Sequence, residues 1–144
     1  MMNRILIIIA ALAYCTGGNP AFAGDIDTVL NCFKKAPPGG AENAATLCTY
    51  VKSDADIQAV FDCYEKAPVG STSTGALLCA DVKTPAEAQE VINCYRQAPV
   101  GTAEIAAILC AHVKSSSETQ MVIGCYHRAQ GTESAATLCS HVKN

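Results

Sequence analysis

Nine cysteines in 144 residues are the side chains of this sequence with the most chemistry to offer. Reduced, they are nucleophiles and soft metal ligands; oxidised, they are cross-links. Cys32, Cys63, Cys94 and Cys125 recur every 31 residues, and Cys48, Cys79 and Cys110 keep the same period, with Cys139 arriving two residues early. No Cys-x-x-Cys occurs to lower a thiol pKa for redox exchange, and no Cys-x-x-Cys-His to carry haem. His112, His127 and His141 each stand two residues after a cysteine, a spacing that offers thiolate and imidazole ligands to a soft metal. On a helix, residues two apart point about 200° away from each other, so a buried cysteine turns its histidine outward. Solvent-facing histidines are therefore the expectation, and metal sequestration the alternative.

The elements that position these residues are repeated along with them. An aromatic follows each first cysteine: Phe33, Tyr64, Tyr95 and Tyr126. Ala-Pro-x-Gly comes next at 36–39, 67–70 and 98–101, shortened to Ala129-Gln130-Gly131 in the fourth copy. Before each second cysteine stands a pair of small residues, Ala44-Ala45, Gly75-Ala76, Ala106-Ala107 and Ala135-Ala136, and Val-Lys closes every copy. Two apolar segments per period of about 31 residues are the pattern of stacked helical hairpins.

Within a copy the periodicity is helical. Ile26, Val29, Leu30 and Phe33 follow i, i+3, i+4, i+7, and Ala41, Ala44, Ala45, Cys48 and Val51 share one face with Leu47 at its edge. The aromatics fall near the middle of the first stripe and are expected to anchor the core. Thr84-Pro85-Ala86-Glu87 supplies an N-cap, a first-turn proline and a capping-box acid; Ser53 to Asp56 and Ser115 to Glu118 repeat the form. Pro-x-Gly separates the two helices. The expected fold is all-α: four tandem helix-turn-helix hairpins at 24–52, 53–83, 84–114 and 115–144, forming one domain that is an α-solenoid-like stack or a compact bundle.

Two disulfide schemes fit this plan. Pairing within copies joins Cys32 to Cys48, Cys63 to Cys79, Cys94 to Cys110 and Cys125 to Cys139; pairing between copies joins 48–63, 79–94 and 110–125 and strands Cys32 and Cys139. A disulfide holds Cα atoms about 4.4–6.8 Å apart, closer than the roughly 8–10 Å between packed helix axes. The small pair one turn before each second cysteine stands where that closeness is needed. Both it and the absence of orphans favour the first scheme. In architecture the plan resembles exported cysteine-rich helical-repeat proteins whose hairpins each carry a disulfide, although that fold type implies no particular function.

The first residues bear on compartment. Arg4, an apolar run at 5–13 and Ala21-Phe22-Ala23 read as a secretory signal peptide, 1–23, cut after Ala23. An uncleaved anchor is the alternative; a lipoprotein site at Cys15 is disfavoured by bulky Tyr14. Cleavage removes Cys15 and Arg4, leaving eight cysteines and nine basic against thirteen acidic residues, net −4. An even count in an exported chain suits disulfides, in a secreted or periplasmic protein. High apolar content excludes disorder, and the acidic balance without a basic cluster excludes a nucleic-acid footprint. After cleavage, no further segment is long enough for a membrane span.

No paired acids, nucleophile elbow or cofactor motif stands out, so no enzyme activity and no cofactor are expected. The leading expectation is a non-enzymatic binding module for a protein partner, using the exposed helix faces and the least repeated loop tips, Gly39-Gly40, Ser71-Thr74, Thr102-Ala103 and Thr132-Ser134. A periplasmic metal-sequestering protein, using thiolates with His112, His127 and His141, and a structural envelope protein are the alternatives. Tyr50 has no aromatic counterpart in the other copies and is expected to be exposed.

Overall fold

The structure, a computed structural model, describes residues 25–143. The expected signal peptide and Cys15 lie outside them. Eight helices follow in order: α1 (Ile26–Lys35), α2 (Ala41–Leu47), α3 (Asp54–Lys66), α4 (Thr72–Cys79), α5 (Pro85–Gln97), α6 (Ala103–Cys110), α7 (Ser116–Arg128) and α8 (Glu133–Cys139). Disulfides join Cys32 to Cys48, Cys63 to Cys79, Cys94 to Cys110 and Cys125 to Cys139. Each ties the two helices of one hairpin, as the within-copy scheme requires.

The helix boundaries follow from local chemistry. Ser53, Thr84 and Ser115 accept hydrogen bonds from the backbone N–H groups of Asp56, Glu87 and Glu118 at 3.2, 3.2 and 3.3 Å, which starts α3, α5 and α7. The acids reach back one residue beyond the cap, accepting from the backbone N–H groups of Lys52, Lys83 and Lys114 at 2.8, 2.7 and 2.7 Å. The long helices stop at Ala36, Ala67 and Ala98, each extended in ψ because a proline follows. The shortened fourth turn instead reverses through Gln130 and Gly131, with φ of 64° and 69°. Tyr126 steadies it by donating its hydroxyl to the Gly131 carbonyl at 2.6 Å.

The helices form two layers. Along the stack α1, α3, α5 and α7 pack side by side, as do α2, α4, α6 and α8, and each hairpin meets the next. Among the described residues, sustained helix contacts run only within a hairpin or between neighbours, which makes them a stack of hairpins and not a compact bundle. The core runs along its axis: the valines of the Val-Lys pairs at 51, 82 and 113 are buried, with Leu47, Leu78 and Leu109 and the disulfides beside them.

Lysines of the same pairs latch successive hairpins. The ammonium groups of Lys83, Lys114 and Lys143 donate to the backbone carbonyls of Tyr50, Asp81 and His112, which end the preceding hairpin. They also meet the capping acids Asp56, Glu87 and Glu118 at 3.4, 3.1 and 3.1 Å. One carboxylate thus closes a helix start and holds the latch. Asp56 and Glu118 titrate below their ordinary values of 3.8 and 4.5: burial works against ionisation, but the backbone hydrogen bonds and the lysine charges outweigh it.

Two expectations for side chains are revised. Tyr126 is core, and Tyr64 and Tyr95 pack against it, but Phe33 is exposed together with Ile26 and Leu30, so the stripe on α1 is largely uncovered. In the second helix Leu47 is buried while Ala41 and Ala45 are exposed, which rotates the inner face toward the next hairpin.

Two substitutions probe the packing with opposite signs. Ala107 is fully buried in the core, so Ala107→Leu overpacks it and lowers stability by about 1–3 kcal/mol. Thr119 is buried with no hydrogen-bond partner for its hydroxyl among the described residues, so Thr119→Val raises stability by about 1 kcal/mol. Urea unfolding of the oxidised proteins measures both, and equal midpoints would contradict this packing.

Candidate binding surface

The position two residues after each second cysteine is Tyr50, Asp81, His112 and His141. It lies just past the ends of α2, α4, α6 and α8, which stand side by side, so stacking sets the four side chains in a row. The row is held by specific contacts. His112 Nδ1 lies 3.1 Å from the Asp81 carboxylate, which can only accept, so the ring donates there. The His112 and His141 rings stack with centroids 4.9 Å apart, and Tyr50 meets His112 edge-on at 6.3 Å. Asp81 also receives Lys114 at 3.4 Å.

Beside the row the second-helix layer is grooved. A recess of about 160 Å³ runs from Thr49 and Tyr50 past Thr46 and Leu77 to Asp81 and His112. A second, about 350 Å³, is bounded by Glu42, Asn43, Ser73 and Glu104 and shares Thr46 and Leu77 with the first. Together they make one trough across α2, α4 and the start of α6. Its floor is mixed, one end is acidic through Glu42 and Glu104, and the other carries Tyr50, Asp81 and His112.

The histidines separate in the structure. His127 is exposed on α7, in the first-helix layer, whereas His112 and His141 belong to the row. His141 is exposed, as expected. His112 is half-buried because residue 112 sits where neighbouring hairpins abut, and Asp81 of the preceding one covers it. The cysteine sulfurs are spent in disulfides, so the thiolate half of the metal alternative has no ligands among the described residues. Nor is any group of three His, Cys, Asp or Glu among them placed to hold a metal ion.

The loop tips serve folding first. Ser71, Thr102 and Thr132 accept from the backbone N–H groups of Thr74, Ile105 and Ala135 as N-caps of α4, α6 and α8, and Thr74 is buried. Asp81, Leu77 and the latch lysines are the surface residues that sequence reasoning missed. Their signal was a fixed offset from the second cysteine, visible in the Val-Lys repeat, but without a partner until the hairpins are stacked.

Asp81 makes the row sensitive to acid. Its burial works to raise the pKa, but the hydrogen bond from His112 and the charges of Lys114 and His112 outweigh it, and the carboxyl titrates below its ordinary 3.8. A depressed acid stabilises the folded chain fully above its unfolded pKa, and the contribution is lost as pH falls through the folded value. Stability therefore drops below about pH 4. Asp81→Asn makes that acid limb shallower and costs about 1 kcal/mol at neutral pH. Urea midpoints across pH measure it, and superimposable acid limbs would contradict the role of Asp81. No family model, curated protein or solved structure matches the chain, so a functional reading rests on these residues themselves.

Proposed function

We propose that this is an exported, disulfide-stabilised helical-repeat protein acting as a non-enzymatic protein-interaction module. In this reading residues 1–23 are a leader removed on export, and 24–144 form one domain of four hairpins. Four disulfides fit an oxidising compartment, secreted or periplasmic, and no helix among the described residues is long and apolar enough to cross a membrane.

The observation that carries the reading is the row Tyr50, Asp81, His112 and His141 beside the two adjoining recesses of the trough. The structural positions of the hairpins repeat in near-identical residue types, whereas this position changes from phenol to carboxylate to imidazole. A surface that is regular in geometry and irregular in chemistry suits an extended segment of a partner protein, read one hairpin at a time. Tyr50, exposed and aromatic, is the natural anchor.

Site-specific photo-crosslinking in the exporting cell tests this. A crosslinker at Leu77, in the trough, is expected to capture one protein partner, while one at Glu65, on the exposed surface of α3, captures none. Tyr50→Ala with His112→Ala should weaken that capture about tenfold or more. Equal capture from both positions, or capture indifferent to the double substitution, would remove the trough as the binding surface.

A further inference from the structure

Apolar side chains are exposed at both ends of the stack. Positions 57, 88 and 119 share a register and are buried, Ile57 at 5%, Ala88 at 6% and Thr119 at 2% exposure; their counterpart in the first hairpin, Ile26, is 72% exposed. Ala76, Ala107 and Ala136 are likewise buried where Ala45 is exposed. These positions face the preceding hairpin, and the first has none among the described residues. At the other end the pattern inverts. Leu47, Leu78 and Leu109 are 2%, 0% and 0% exposed, but Leu138, in the same register, is 71% exposed. Val142 and Cys125 are also less covered than their counterparts. These positions face the following hairpin.

The polar latch is divided in the same way. Lys83, Lys114 and Lys143 reach back to the carbonyls of residues 50, 81 and 112. Lys52 stands in their register on the first hairpin and is exposed, and Asp25 stands in the register of the acids Asp56, Glu87 and Glu118. At the last hairpin, the carbonyl of His141 stands in the acceptor register with no lysine donating to it among the described residues. A recess of about 510 Å³ opens at the first end between Val29, Leu30, Phe33 and Ala45, and another of about 470 Å³ at the last end beside Met121, Cys125 and Val142. Stacked-repeat proteins that remain single need polar capping surfaces at their ends, and among the described residues neither end is one.

We propose that the exported chain associates head to tail, a second copy of the same chain being the occupant of each end. Leu138 of one copy seats on the Ile26 and Phe33 face of the next, and Lys52 of that next copy latches onto the His141 carbonyl. The interface continues the one that joins hairpins inside the chain, and it is heterologous: it uses two different surfaces and leaves one of each free for further growth. It adjoins the trough, since the recess at the first end shares Thr46 and Thr49 with it.

The test uses the full chain, expressed with its leader and purified from the exported fraction, with sedimentation velocity over a wide concentration range. Leu138→Asp blocks one end and Ile26→Asp the other; both side chains are exposed, and unchanged helical content and thermal midpoints check that the variants fold. The wild-type mass is expected to climb with concentration past that of a dimer. Each variant alone stays monomeric, and an equimolar mixture doubles in mass and stops there, since only one competent interface can form. A wild type that is monomeric throughout would overturn the proposal, whether its ends are covered by residues 1–24 or await another protein. So would a variant that still assembles by itself, or a mixture that stays monomeric, because either would mean that the pairing is not head to tail.

Discussion

Each hairpin must bring two helix backbones close enough for a disulfide, and the rest of the structure is arranged around that requirement. The paired Cα atoms stand 5.6–5.8 Å apart, within the span that a disulfide bridges. Small residues one turn away at 44, 75, 106 and 135 permit the approach. Gly75 is the tightest instance, since a Cβ there would stand 3.1 Å from Val69 and 3.2 Å from Tyr64. Second helices of seven or eight residues have little stability alone. Closing a loop of 14 or 16 residues before folding is worth about 3 kcal/mol in the chain-entropy account, so each staple compensates for a short helix.

Once the hairpins are shut, stacking follows from a small set of residues reused at one period. The valine and leucine positions bury against the next unit, and the lysine beside the valine crosses to the preceding one. The acid it meets is already oriented by a backbone N–H, so little further ordering is needed to form the ion pair. The same geometry produces the row at 50, 81, 112 and 141: the surface proposed for binding is a consequence of stacking and needs no separate scaffold.

Hairpins and caps were legible in the chain because each depends on residues near one another in sequence, whereas the disulfide pairing was only favoured, its rival being equally local. Ser53, Thr84 and Ser115 announce helix starts, Ala-Pro announces helix ends, and the lack of orphans together with the small residues favours the within-copy pairing over the between-copy one. The choice between stack and bundle was not legible, because both bury the same stripes. Nor was the state of His112 or Phe33. Helical geometry sends His112 away from its own cysteine, but what it meets there is Asp81, 31 residues earlier. Phe33 lies on an apolar stripe like Tyr64 and Tyr95, yet its burial depends on a preceding hairpin, a fact of position along the stack and not of local pattern.

The most direct measurement is proteolytic mapping of the non-reduced exported protein by mass spectrometry. The account predicts cross-linked peptides joining Cys32 to Cys48, Cys63 to Cys79, Cys94 to Cys110 and Cys125 to Cys139, with no free thiol among these eight. Peptides joining Cys48 to Cys63, Cys79 to Cys94 and Cys110 to Cys125, or free thiols carrying bound metal, would contradict it, for the staples would then tie units together or not exist at all.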